Sequence, residues 1–304
     1  MSVISTIVDI SVLLGTLILS YLEVFYRLIV PASRKLVAGR TVLITGAGHG
    51  LGRLMALNFA RERAILVLWD INQANNEKTA RDVRNLGGQA FSYTVDCSSA
   101  KAVSETAERV LEEVGNIYML INNAGVLVGE DILALSEQSI LQTMNINVLT
   151  HFWTIRSFLP GMLEANDGHI VSIASMAGKQ GSHRLTDYCA SKFAAVGLHE
   201  SLTDEIEKVY QRPGVQTTVV CPMFINTGLI HSISTRIGGP DMLKAEEVVE
   251  QIMDGVLKNQ REILVPTVSS WVSLVLKAVL PKRGWEAILR SQQIVIPSQT
   301  REDK

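Results

Sequence analysis

Apolar and polar positions alternate in blocks along most of the chain. From Thr41, "TVLIT" is an apolar run of strand length, "GRLMALNFARER" carries its apolar residues at helical spacing, and "AILVLWD" is again strand-like. The rhythm continues through "AFSYTVD", "IYMLINNAG", "HIVSIAS" and "VQTTVVCP", each separated from the next by enough residues for a crossover helix. Runs rich in Val, Ile and Leu and apolar on both faces belong in a parallel sheet covered by helices on either side. The pattern therefore predicts a doubly wound α/β fold over residues 37–266, read as one domain because no linker, repeat or low-complexity tract divides it.

The two ends follow different patterns. Residues 1–36 open with "MSVISTIVDISVLLGTLILSYLEVFYRLIVP", in which Ser2, Ser5, Asp9, Thr16, Ser20, Glu23 and Arg27 fall on one helical stripe and most of the remaining surface is apolar. No basic residue precedes the apolar stretch, as a cleavable signal peptide would require. A soluble helix with so wide an apolar surface would leave much of it in water, so a membrane anchor is favoured. The uncharged run between Asp9 and Glu23 is short for a spanning helix, and the polar stripe favours a helix lying in one leaflet, although both arrangements stay open. Arg27, Arg34, Lys35 and Arg40 gather at its end, which would keep the following domain in the cytosol. Residues 267–304 form an amphipathic extension with Trp271 and Trp285 among aliphatics and Lys277, Lys282, Arg283 and Arg290, suited to a second membrane contact or to packing on the core or a partner.

Composition narrows the choice further. A net charge of −2 on 304 residues supplies no broad basic field for nucleic acid, and 47% hydrophobic residues are ample for a core. Cys97, Cys189 and Cys221 are odd in number and lack C-x-x-C spacing, which fits a reducing compartment. His151, His183, His199 and His231 are too scattered to suggest a metal site.

The candidate chemistry lies at strand ends. "TGAGHGLG" follows the first strand and opens the first helix, the setting in which bare backbone and helix N–H groups meet a pyrophosphate. Its spacing, Gly46, Gly50, Gly52, is G-x-x-x-G-x-G rather than the usual G-x-G-x-x-G. The second strand ends in Asp70, placed to accept hydrogen bonds from the adenosine ribose and to repel a 2′-phosphate. Neither His49 nor Ile71 supplies a strong fixed cation, so NAD is expected over NADP. Tyr188 and Lys192 share a face of the helix predicted over "YCASKFAAVGLHESL", where an ammonium would lower the phenol's pKa towards neutrality. Ser175 closes the strand "HIVSIAS", and its hydroxyl there can polarise a substrate carbonyl or alcohol.

With Asp96 in "TVDCS", "NNAG" at residues 122–125, Asn147 in "NINVLTHFW", Ser175 and "YCASK", residues 40–230 resemble the short-chain dehydrogenase/reductase family, whose domain is Rossmann-type. The resemblance implies that Tyr188 is the general acid/base, that Lys192 lowers its pKa and holds the nicotinamide ribose, that Ser175 orients the substrate oxygen, and that Asn147 supports a proton relay. It places Gly46, His49, Gly50, Leu51, Gly52, Asp70, Asp96, Cys97, Asn123, Ala124, Gly125, Tyr188, Lys192 and Thr227 around the cofactor, with Asp96 facing the adenine, and Ser175, Met176, Met223 and Phe224 beside the substrate. Where the family usually has Pro-Gly, this chain has Pro222-Met223. More narrowly, "VLWDIN", "HFWT", "FLPGMLE" and "DYCASKFAAVG" with the apolar amino terminus are similar to the microsomal branch, which holds retinol dehydrogenase 10, epidermal retinol dehydrogenase 2 and the 17-beta-hydroxysteroid dehydrogenases types 11 and 13. That implies a homodimer at the endoplasmic reticulum or lipid droplets. Its substrate would be a lipophilic alcohol, all-trans-retinol first and a 17-beta-hydroxysteroid as the alternative. A non-catalytic NAD-binding scaffold is the competing class, and the intact Asn147, Ser175, Tyr188 and Lys192 argue against it. Apart from any resemblance, "MAGKQGSHRL" and "MFINTGLIHSISTRIGGP" mix Met, Phe, Ile and Leu with few fixed charges, which suits an apolar ligand.

Overall fold

The computed structural model describes residues 3–30, 32–228 and 242–292; His231, most of the stretch after Phe224 and the last twelve residues lie outside them. The chain divides into two compact units, Met1–Lys35 and Leu36–Lys304. The segment read from sequence as a carboxyl-terminal extension falls within the second unit.

The first unit is helix α1 (Val3–Ile29), whose apolar side chains, among them Leu13, Leu17, Leu22 and Phe25, are exposed. The Thr16 and Ser20 hydroxyls donate to the carbonyls of Val12 and Thr16, so neither demands water. Among the described residues, no helix is long and apolar enough to cross a membrane.

In the second unit, strands β1 (Thr41–Thr45), β2 (Ile65–Asp70), β3 (Gln89–Thr94), β4 (Met119–Asn122), β5 (Gly168–Ile173) and β6 (Val215–Pro222) follow the predicted runs. A small parallel pair, β7 (Ile225–Asn226) and β8 (Leu243–Lys244), precedes β9 (Glu262–Val265), which joins the main sheet at β6. The seven-stranded sheet is parallel, in the order β3-β2-β1-β4-β5-β6-β9. Its strands are apolar on both faces because each face has its own core. Val42, Ile44, Leu66 and Leu68 enter one cluster, while Leu43, Val67 and Trp69, one residue out of phase, enter the other.

Helices α2 (Gly50–Arg61), α3 (Gln73–Asn85) and α8 (Ala245–Leu257) contribute to the first cluster. The second takes residues from α4 (Ala100–Glu113), α6 (Thr150–Ala165) and α7 (Thr186–Glu205). Helix α5 (Glu137–Met144) runs into a π-helical turn, Asn145–Leu149, before α6 begins. Helices α9 (Thr267–Val279) and α10 (Lys282–Gln292) follow β9. From β1 the chain moves outward through β2 and β3, then returns to the other side of β1 as β4. That reversal opens a crevice at the carboxyl ends of β1 and β4, where ligands bind in such sheets.

Candidate active site

The glycine loop occupies that crevice. Gly46 and Gly50 have φ of 67° and 54°, the left-handed region that side chains disfavour, and a Cβ on Gly52 would sit 2.1 Å from the Gly46 carbonyl oxygen. The third glycine thus lets α2 start directly against the loop. The Asp70 carboxylate, buried at the end of β2, accepts from the backbone N–H of Gly48 and of Asn72, both at 2.8 Å. On the other wall, Asn123 Nδ2 donates to Thr45 O at 2.9 Å and Gly46 O at 3.2 Å, while the Thr45 hydroxyl accepts from the N–H groups of Asn123 and Ala124 at 3.0 Å. Thr45 therefore clamps "NNAG" to the glycine loop, a part the sequence reading did not assign.

Tyr188, Ser175 and Lys192 converge beside this wall. Ser175 caps a short 3-10 turn, Met176–Gly178, by accepting from Ala177 N at 3.1 Å. Gly178 lacks a side chain where a Cβ would lie 2.6 Å from the Lys192 carbonyl, so the turn settles against α7 and the Ser175 hydroxyl meets the Tyr188 phenol. Lys192 Nζ lies 5.6 Å from the Tyr188 ring centroid and donates to the Ile173 carbonyl at 3.0 Å. A Cβ on Gly125 would be 3.4 Å from Asn147 Oδ1 and 3.7 Å from Lys192 Nζ, which shows how closely these groups approach. Asn147 is wholly buried in the π-helical turn. Its Nδ2 donates to Val126 O (2.9 Å) and Ser191 Oγ (3.0 Å), and its Oδ1 accepts from Val126 N (2.8 Å).

Burial governs the electrostatics. It pushes the Tyr188 phenol up to about 12, against a smaller lowering by the Ser175 hydrogen bond. It also depresses the Lys192 ammonium to about 8. The expected lowering of the phenol towards neutrality is not found, because desolvation of the phenolate by burial dominates its electrostatics. At neutral pH the phenol is therefore protonated.

Together these groups line a cavity of about 620 Å³. Gly46, His49, Gly50, Leu51, Asn123, Ala124, Gly125 and Thr227 border one part, and Ser175, Met176, Tyr188, Lys192, Met223 and Phe224 another. Of the remaining assigned residues, Gly52 lies behind the loop and Asp70 and Asn147 act through the bonds above. Asp96 is exposed, its carboxylate accepting from Ser98 N at 2.9 Å. The Cys97 side chain packs in the core with Trp69 and Val95, and burial raises its thiol to about 12. Met223 sits in the cavity wall and its N–H bonds Val265 O, which defines the backbone path where Met replaces the family's usual Gly. Gln180, His183 and Leu185, all within the "MAGKQGSHRL" segment read as ligand-facing, also line the cavity, as do Leu289 and Arg290 from α10, a segment read only as an amphipathic extension. The α10 residues gave no local signal, since their place depends on folding of α9 and α10 back over the sheet.

The bare glycine surface, the first turn of α2, the Asp70 carboxylate and Lys192 are a donor and acceptor set that fits a nicotinamide dinucleotide. Residues 40–238 match the short chain dehydrogenase family. Human 17-beta-hydroxysteroid dehydrogenase 13 (Homo sapiens) is 43% identical over 288 residues, 95% of each chain. Estradiol 17-beta-dehydrogenase 11 of Mus musculus is 47% identical over 277 residues, 91% of this chain and 92% of that one. Among solved structures, a short chain dehydrogenase/reductase from Burkholderia phymatum in complex with NAD superposes with a TM-score of 0.71 at 26% identity, covering 86% of this chain and 98% of that one. A metagenomic short-chain oxidoreductase in complex with NADP gives 0.65 at 25% identity, over 76% and 98%. Fold, site and relatives agree on an oxidoreductase that acts on CH–OH donors with a nicotinamide cofactor. The chain belongs to the short-chain dehydrogenase/reductase family.

Proposed function

We propose that this protein is a membrane-associated, NAD-dependent dehydrogenase of a lipophilic alcohol, with a 17-beta-hydroxysteroid as the best-supported substrate. The observation that carries the reading is the Tyr188 phenol, in contact with Ser175 and opening on a cavity walled by Leu185, Met176, Met223 and Phe224. Relatives named as hydroxysteroid dehydrogenases at 43% and 47% identity support a steroid over the all-trans-retinol favoured on sequence. NAD is preferred because the buried Asp70 carboxylate would repel a 2′-phosphate. The apolar surface of α1 supports attachment within one leaflet of the endoplasmic reticulum or on a lipid droplet, and three buried free thiols suit a catalytic unit in the cytosol.

The glycine loop, Asp70, the Asn123–Gly125 turn, Lys192 and Thr227 would hold NAD, which when bound supplies the hydride acceptor. The protein's own work is proton control. Ser175 orients the substrate oxygen towards Tyr188 Oη, which gives that oxygen its proton in reduction and, after losing its own proton to solvent, takes the hydroxyl proton as phenolate in oxidation. Lys192 favours the phenolate while it lasts, and Asn147 fixes the wall behind Lys192.

The test is NADH formation by detergent-solubilised protein with estradiol, with all-trans-retinol in parallel. Estradiol should be turned over, and Tyr188→Phe should cut turnover by about 10²- to 10⁴-fold with NAD affinity largely kept. Turnover of retinol alone would move the substrate assignment, and activity retained in Tyr188→Phe would overturn the mechanism.

A further inference from the structure

Helix α9 is amphipathic in the inverse sense. At 100° per residue its exposed Val268, Trp271, Val272, Val275 and Val279 fall within an arc of about 100°. The opposite side carries Ser270, wholly buried, Leu274 against the core by Met176 and Cys221, and Lys277, which donates to the Lys179 carbonyl just beyond the Ser175 turn. An outward stripe of four valines and a tryptophan has no role in a helix meant only to pack on its own sheet. Next to it, α10 presents Lys282, Arg283 and Arg290 with one carboxylate, Glu286, and the two helices share a groove lined by Val272, Leu276, Trp285 and Ile288. Leu289 and Arg290 of the same α10 form part of the active-site wall.

We propose that the α9 stripe docks into the interfacial layer of a lipid surface bearing anionic headgroups, setting the α10 wall of the cavity at that surface so that an apolar substrate reaches Tyr188 from the lipid. Charge decides the occupant. Anionic headgroups complement Lys282, Arg283 and Arg290, and Trp271 suits the boundary between acyl chains and headgroups. A second copy seated symmetrically on the same face would instead bring those cations towards their own counterparts. The substrate route rests on the lipophilic-alcohol reading; the docking does not.

The experiment uses the full chain on brominated vesicles of phosphatidylcholine with about one-fifth phosphatidylserine. With Trp285→Phe introduced throughout, fluorescence should be quenched more when Trp271 is present than in Trp271→Phe, which keeps only Trp69, buried in the core, and Trp153 on α6. Joint Val272→Asp and Val275→Asp replacement should abolish that difference and raise KM for vesicle-dissolved substrate about tenfold, leaving kcat/KM for a short water-soluble secondary alcohol within about twofold. Equal quenching with and without Trp271 in that Trp285→Phe background, in vesicle-bound protein, would overturn the proposal. So would an unquenched Trp271 in a dimer that the double replacement dissociates. Quenching of Trp271 in a chain that oxidises no alcohol would support the docking and fault the substrate reading instead.

Discussion

Asp70 does two jobs with one carboxylate. It holds the glycine loop through Gly48 N and Asn72 N, and it sets the charge that a ribose or a 2′-phosphate would meet. Asp70→Ser should therefore move two readouts together. Relative use of NADP, measured as the ratio of kcat/KM values, should rise about tenfold or more as the repulsion is removed. Stability should fall by about 1–3 kcal/mol in denaturant titration, because a buried Gly48 N–H loses its acceptor. A stability loss without a cofactor shift would leave Asp70 a structural residue only. The Tyr188–Lys192 pair shows what spacing reveals at this scale and what it omits. Four residues along a helix put both groups on one face, but the direction of the phenol's shift depends on burial against Leu127, Ala177 and Phe224, from segments that no local pattern joins.

Among elements, the glycine loop and α2 form the tightest fit. Gly52→Ala would drive a methyl group into the Gly46 carbonyl, so the loop must shift. Titration of NAD against Gly52→Ala should show affinity reduced by about tenfold or more, with the thermal midpoint lowered as well. The strands that frame this loop were legible because each is apolar on both faces and bounded by polar or glycine residues, from "TVLIT" to "VQTTVVCP". β9 was not, since four residues of "EILV" differ little from an apolar helix end until β6 pairs with them. The π-helical turn that seats Asn147 was equally hidden. It depends on where the Asn147 amide finds Val126 and Ser191, not on the propensity of "NINVL". Leu289 and Arg290 entered the cavity from a segment that reads locally as a surface helix.

For the molecule as a whole, two buried histidines set an acid limit. Burial lowers His151 to about 3 and His199 to about 4, from an ordinary value of 6.5, so the folded chain keeps both neutral while the unfolded chain takes up protons. Their contribution is complete above about pH 6.5 and is lost progressively as pH falls from there to about 4 for His199 and about 3 for His151. Melting curves should show roughly 2 kcal/mol lost per histidine by pH 5, and His199→Gln should flatten that slope; an unchanged slope would place the acid sensitivity elsewhere. The cavity also divides the chain's labour. Gly46–Leu51 and Asn123–Gly125 supply its front wall, whereas the residues around the reacting oxygen, from Ile173 to Arg290, come from the second half of the chain. Apart from Lys192 and Thr227, the two sets overlap little. Substrate choice can thus drift by change after Ile173 while the front half stays under selection for its coenzyme, so relatives of similar overall identity need not share a metabolite.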